Sequence, residues 1–277
     1  METLTKNLDQ IKCYMLDMDG TFYLGDKLLP GALNFMGYLH ENKIDYLFLT
    51  NNSSKHGGIY AEKIKKLGFE VEETRILTSG EATTIFLNNK TKYRKIFLVG
   101  TPALEEEFVC AGFKLVDKKP DAVVLGFDTT LTYDKIWKFC DFVRVGLPYI
   151  ATHPDFNCPT ESGFMPDIGS FIALVEASTQ RRPDVIIGKP HGHIVDAVVE
   201  KTGFKLDEIA MIGDRLYTDI ALGKAGITTI LVLSGETKLE DLEKSEHQPD
   251  WVFNDLADFV EYLKNKPSAS KQTADGL

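Results

Sequence analysis

The stretch YMLDMDGTFYLG, Tyr14–Gly25, runs an apolar segment straight into two aspartates and then Gly20-Thr21. Asp17 and Asp19 are two apart, so in extended chain their carboxylates point to the same side. Two like charges that close repel unless something cationic joins them. Mg²⁺ suits hard oxygen ligands, and a carboxylate pair supplies them. Gly20 permits a tight turn just beyond. A solvated loop does not account for an apolar strand that ends this way. An EF-hand fails too, because the glycine comes too early and Leu28 stands where the bidentate glutamate belongs.

Outward from this segment, short apolar runs alternate with amphipathic stretches. Strands are predicted over Cys13–Leu16, Tyr46–Leu49, Ile96–Val99, Ala122–Leu125, Tyr149–Ala151, Val185–Ile187, Ile209–Ile212 and Thr229–Leu233. They are apolar throughout rather than alternating, as parallel strands covered on both faces are. Tyr60, Ile64 and Leu67 recur with helical spacing and Gly68 follows as a stop; Leu104, Phe108 and Ala111 before Gly112 repeat the design. The alternation predicts an α/β fold with parallel sheets, and the number of strands predicts two α/β units. The chain closes on a polar stretch, KNKPSASKQTADGL from Lys264, and a frayed tail is expected over 266–277.

Parallel sheets place ligands at the carboxyl ends of their strands. Three further strand ends are unusual. In YLFLTNNSSKHGG, Thr50, Asn51, Asn52, Ser53 and Ser54 precede a helix, a composition that fits an anion site or plain helix capping. In DVIIGKPHGH, Lys189 follows a strand; Pro190 fills the Ser/Thr slot of a P-loop, so this is not a Walker motif, but the ammonium is a point charge for phosphate. His191 and His193 read as polar residues opening the next helix rather than as metal ligands. In IAMIGDRLYTDIALGKAG, Asp214 ends a strand within reach of the same metal as Asp17, and Asp219 falls in the first turn of a helix, where its dipole favours a carboxylate. Together these ends carry what phosphoryl transfer asks for: a nucleophile, a metal site, donors for the equatorial oxygens and a cation.

Composition narrows the alternatives. The 277 residues carry 31 basic and 41 acidic side chains, a net charge of −10. That argues against nucleic-acid binding and against attachment to anionic lipid. Cys13, Cys110, Cys140 and Cys158 lie far apart with no Cys-x-x-Cys pair, which fits free thiols in a reducing compartment. No signal peptide is evident and no apolar run approaches the ~20 residues of a membrane helix. A soluble, cytoplasmic protein is expected.

These motifs resemble the haloacid dehalogenase superfamily, in its phosphatase branch. Asp17-Met18-Asp19-Gly20-Thr21 is similar to its first motif, Thr50-Asn51 to its second, Lys189 to its third, and Gly213-Asp214 with Asp219 to its fourth. TNNSS, GKP and GDRLYTDI resemble the wording of the NagD / p-nitrophenyl phosphatase-like subgroup, and the resemblance runs from about Met15 to Gly235. It implies a Rossmann-like parallel-sheet core and an aspartyl-phosphate intermediate. Asp17 is then the nucleophile and Asp19 the acid that protonates the leaving oxygen and later activates water. Mg²⁺ sits between the Asp17 side chain, the Asp19 main-chain carbonyl and Asp214, supported by Asp219. Thr50, Asn51 and Lys189 hold the phosphoryl oxygens.

The chain between Asp17 and Thr50 is too short to hold a domain, whereas four strands fall between Asn51 and Lys189. This is similar to the superfamily's inserted α/β cap of the second, C2 kind, with a core over 1–80 and 186–265, a cap over 81–185, and hinges near TSGEAT and RRPDV. Cap closure would exclude water. The subgroup commonly reads Ala-Thr-Asn-Pro-Asp and Pro-Gly-x-Gly-Ser; here stand Ala151-Thr152-His153-Pro154-Asp155 and Pro166-Asp167-Ile168-Gly169-Ser170. His153, Asp155 and Asp167 are therefore candidate contacts to the leaving group, His153 being equally open to a role in capping loop backbone. Asp19 argues against a dehalogenase, the absence of membrane helices against an ion pump, and the cap's place against a phosphomutase. A catalytically silent binding or regulatory protein on this fold would lack motif residues, and Asp17, Asp19, Lys189 and Asp214 are all present. The expected substrate is a small phosphorylated metabolite, such as a sugar phosphate, a nucleoside monophosphate, glycerol phosphate or pyridoxal phosphate; the subgroup often forms homodimers.

Overall fold

The structure, a computed structural model, describes residues 6–160 and 163–266. The tail expected from 266 lies, from residue 267 on, outside the described residues. Cys13–Leu16 is the centre of a six-stranded parallel sheet. On one side it is flanked by Asp45–Thr50 and then Ile76–Thr78; on the other stand Ile209–Gly213, Thr228–Val232 and Trp251–Phe253 in turn. The chain order reverses at Cys13–Leu16, so the crevice of this sheet opens at the carboxyl end of that strand, where Asp17 follows.

Alternate residues of the central strand serve opposite faces. Tyr14 and Leu16 join one apolar cluster, in which Tyr14 meets Phe35 and Phe259 edge-on. Cys13 and Met15 join another that also contains Ile96, Leu98 and Val124. Those three belong to a second parallel sheet, ordered Val185–Ile186, Tyr149–Ala151, Ala122–Leu125, Lys95–Val99 and Lys114–Leu115. A continuous apolar cluster thus ties the two sheets, and burial of strands on both faces explains their unbroken apolar sequences.

Four details differ from the sequence reading. Ile76–Thr78 and Trp251–Phe253 are edge strands of only three residues, too short for a periodic signal, and an antiparallel pair, Asn157–Thr160 with Gly163–Pro166, forms around a polar sequence. Val185–Ile186 pairs with Tyr149–Ala151 in the second sheet, so the expected return to the core at 186 falls inside that pairing. The helix after TNNSS begins at Gly57, capped by His56, and not at the serines. Helix Ser79–Lys90 packs both on His193–Thr202 and on Pro102–Cys110, bridging the expected boundary at 81. All four cysteines are free. Among the described residues no helix is long and apolar enough to cross a membrane.

Candidate active site

Asp17 follows its strand directly and its N–H still donates to Ile212 C=O at 2.9 Å. Its side chain is therefore fixed by the central sheet and projects where the strand order reverses. Asp214, at the end of the neighbouring strand, and Asp219 bring carboxylate oxygens within 4.8 Å of it and of one another. The backbone had to make room. Gly20 has φ +93°, a left-handed conformation, and a Cβ there would lie 2.5 Å from Asp214 Oδ2. Glycine alone satisfies both conditions.

Lys189 enters this group from the loop that follows Val185–Ile186. Its ammonium contacts Asp17 Oδ1 and lies 2.6 Å from Asp219 Oδ1. Burial opposes its charge, but the two carboxylates outweigh this and hold it firmly protonated. Asp219 also accepts Arg215 N–H at 3.1 Å. It precedes a short 3₁₀ turn, Ile220–Ala225, rather than an α-helix, so its partner is the Lys189 ammonium and not the expected helix dipole.

Three carboxylates face one ammonium. Burial pushes the Asp17 carboxyl above its ordinary range; Lys189 draws it down while Asp219 and Asp214 push it further up. Burial, then Asp219, likewise raises Asp214, against the pull of the Glu236 N–H bonded to its Oδ2 at 2.7 Å. Asp214 Oδ1 is buried without a hydrogen-bond partner among the described residues. Excess negative charge with an orphaned hard oxygen fits a divalent cation held by Asp17 and Asp214. Asp19 is not in this cluster. Its side chain is half exposed and 4.0 Å from Lys63 Nζ.

The residues enclose a cavity of about 100 Å³ lined by Asp17, Asp19, Thr50, Asn51, Asp155, Asp167 and Lys189 among others. The N–H groups of Met18, Asp19 and Asn51 donate to no acceptor among the described residues. Three expectations change here. The Asn51 side chain is fully engaged: its Oδ1 accepts Lys189 N–H at 2.8 Å, and its Nδ2 donates to Lys189 C=O at 2.9 Å and to both Asp155 oxygens at 3.1 Å. Only its main-chain N–H is available to an anion. Ser53 is likewise engaged, by Thr152 Oγ1 at 2.9 Å and Phe127 N–H at 2.9 Å, because it ties the two sheets together. His153 is 0% exposed and does not line the cavity, so it makes no contact there, whereas Asp155 and Asp167 do reach it. The cavity also includes Arg215, Cys158, Tyr60 and Thr218, which the strand-end reading missed. Arg215 was open to that reading, since it follows Asp214 directly; Cys158 and Tyr60 arrive only by folding.

The sequence profile of the haloacid dehalogenase-like hydrolases matches residues 14–114, and a second profile, HAD-hydrolase-like, matches 186–259. The acid sugar phosphatase of Staphylococcus epidermidis is 34% identical over 247 residues, 88% of this chain and 95% of that one. The chain belongs to the haloacid dehalogenase-like hydrolases, in their NagD-like phosphatase group. The crystal structure of a 4-nitrophenylphosphatase from Thermotoga maritima is similar with a TM-score of 0.87 at 49% identity, covering 91% of this chain and 97% of that one. NagD from E. coli K-12 is similar with a TM-score of 0.84 at 33% identity, covering 89% and 97%. The strand ends that hold Asp17, Asp19, Thr50 and Asn51 fall within the first matched segment, and those of Lys189, Asp214 and Asp219 within the second.

Proposed function

We propose that this phosphatase hydrolyses small phosphate monoesters through an aspartyl-phosphate on Asp17, with Mg²⁺. The observation that carries the reading is Asp17 itself: a carboxylate fixed at a strand end, beside Lys189 and at the edge of a cavity lined with unengaged N–H groups. In the first step an Asp17 oxygen attacks phosphorus in line, the P–O bond to the leaving group breaks, and Asp19 gives its proton to the leaving oxygen. In the second, Asp19 takes a proton from water, the new hydroxyl oxygen bonds to phosphorus, and the bond from Asp17 to phosphorus breaks. Lys189, Thr50 and the N–H groups of Met18, Asp19 and Asn51 hold the phosphoryl oxygens throughout, a preorganised set of donors for charge that spreads over them.

Asp17, Asp214 and the main-chain carbonyl of Asp19 would hold Mg²⁺, which when bound neutralises charge between nucleophile and phosphoryl group. Asp219 keeps Lys189 in place. The substrate class we favour is a sugar phosphate or similar metabolite, in line with the names of the relatives; the strands from Lys95 to Ile186 would form a cap, and the molecule would act in the cytoplasm, paired as a homodimer in its subgroup's manner. The test is phosphate release from p-nitrophenyl phosphate with Mg²⁺ and with EDTA, for wild type and Asp17→Asn. Release that needs Mg²⁺ and is lost in the variant is expected; full activity in Asp17→Asn would remove it as nucleophile.

A further inference from the structure

A second cavity adjoins the one against Asp17, and Asp155, Asn157, Arg215 and Thr218 line both. The first is about 100 Å³ and the second about 500 Å³. Pockets that bury a whole small ligand run to roughly 300–1,000 Å³. The cavity at Asp17 is therefore of a size for the phosphoryl group, and the rest of an ester passes the shared wall into the larger one.

The larger cavity is walled by rings. Phe156 and Phe164 belong to the segment of the antiparallel pair Asn157–Thr160 and Gly163–Pro166, and Tyr217 to the loop after Ile209–Gly213. These three side chains are 59%, 77% and 54% exposed. Aromatic rings left to solvent round one hollow mark a surface that a ligand covers. The Tyr217 ring is held in place. Glu236 Oε1 accepts its O–H at 2.8 Å, while Glu236 Oε2 lies 3.0 Å from Arg215 Nε. That Nε is buried with no aligned acceptor among the described residues, so the guanidinium keeps donors for a ligand's oxygens. Arg215 is also the single cation among the described residues of this wall, against the carboxylates of Asp155 and Glu236. A second anionic group on the substrate would meet surplus negative charge there.

We propose that this cavity is the leaving-group subsite, and that it selects phosphate monoesters whose leaving group is an uncharged ring with an apolar face and a polar edge. The inference rests on the phosphatase reading above. Tyr217 and Phe164 cover the face, and Arg215 donates to oxygens on the edge. Sugars and nucleosides share this chemistry, since the face of either packs on an aromatic ring. An acyclic leaving group has no face to lay there. Tyr217 and Phe164 thus determine specificity, and Glu236 is a positioning residue that holds Tyr217 and Arg215 at the mouth of the phosphoryl cavity.

The test is steady-state phosphate release with Mg²⁺ from glucose 6-phosphate, adenosine monophosphate and glycerol phosphate, by wild type, Tyr217→Ala, Phe164→Ala and Glu236→Gln. In wild type, kcat/KM for at least one ring ester is expected to exceed that for glycerol phosphate by about tenfold or more; the better of the two identifies the ring. Tyr217→Ala and Phe164→Ala should each lower that kcat/KM about tenfold, through KM more than kcat, and leave glycerol phosphate within about twofold. The rate on glycerol phosphate also shows that each variant is folded and that its Asp17 chemistry is intact. Glu236→Gln, which keeps shape and main-chain N–H, should lower the ring ester about three- to fivefold by loosening Tyr217 and Arg215. Glycerol phosphate turned over as well as both ring esters would overturn the proposal. So would ring-ester kinetics unchanged in both alanine variants, or a loss there equal for all three esters. Phosphate released by wild type from none of them, nor from p-nitrophenyl phosphate, would instead overturn the phosphatase reading itself.

Discussion

Two groups of carboxylates meet at this cavity, and they are organised in opposite ways. At the end of the first sheet, Asp17, Asp214 and Asp219 face a single ammonium, and one oxygen of Asp214 has no partner among the described residues. Beside the second sheet, Asp155 and Asp167 flank a single imidazole, and the Asp155 oxygens are also taken up by Asn51. The first group carries more negative charge than its own ammonium neutralises; in the second, Asp155 accepts the Asn51 amide and Asp167 accepts the Ile168 N–H. Residues of the same kind therefore suit different work. An unbalanced cluster of hard oxygens at a strand end suits a divalent cation. A buried one whose oxygens already accept N–H groups holds its neighbours in place.

The largest effect that separates them is expected from Asp17→Asn. Hydrolysis should fall by at least about 10³-fold, because no covalent intermediate forms without the carboxylate; single-turnover phosphate release measures it. Chelation comes next. EDTA should bring activity close to zero and added Mg²⁺ restore it, and activity indifferent to chelation would mean that the unbalanced cluster is not a metal site. Lys189→Ala should cost about 10²–10³ in kcat, the usual loss for one donor to a developing oxyanion; a loss under about tenfold would take the ammonium out of the phosphate site. Asn51→Ala belongs between the two groups, since its side chain clamps Lys189 without reaching the phosphoryl group itself. About ten- to hundredfold is expected, as for other residues that orient a catalytic one, and an Asn51→Ala enzyme with wild-type kcat would show the two groups to be independent.

The smallest effect lies on stability. In the folded protein burial raises Asp167 from 3.8 to about 6. Between those values the native state binds more protons than the unfolded chain, so stability is fully present at the acid end and falls as pH rises through the window. Asp167→Asn should flatten that slope, shifting the thermal midpoint near pH 6 by roughly 2–4 °C relative to wild type. Midpoints that run parallel in the two proteins would place Asp167 in ordinary, well-solvated surroundings and weaken the contrast between the groups.

Much of the first group is legible along the chain. An apolar run that ends in Asp17-Met18-Asp19-Gly20, or in Gly213-Asp214, announces itself because a strand buried on both faces admits no charge until its end. Lys189 reads the same way. The second group is hidden by its setting. His153 and Asp167 belong to loops with no periodic pattern, and a histidine in such a loop is compatible with capping, with substrate contact or with burial. The Asn51 side chain was misread for a related reason: its position after a strand is visible, but which of its atoms are already engaged depends on Asp155 and Lys189, both more than a hundred residues away.

The sequence by itself determined the α/β class, the parallel sheets and the strand ends where the charges stand, since these follow from local apolar runs and from the chain's need to bury them. Tertiary structure decided which charges meet. The reversal of strand order at Cys13–Leu16 brings Asp17 beside Asp214, and the crossing after Val185–Ile186 delivers Lys189 into their midst. The second sheet then closes His153 away from solvent. Electrostatic interaction depends on distance and burial, and for residues so far apart in the chain only the folded arrangement sets either.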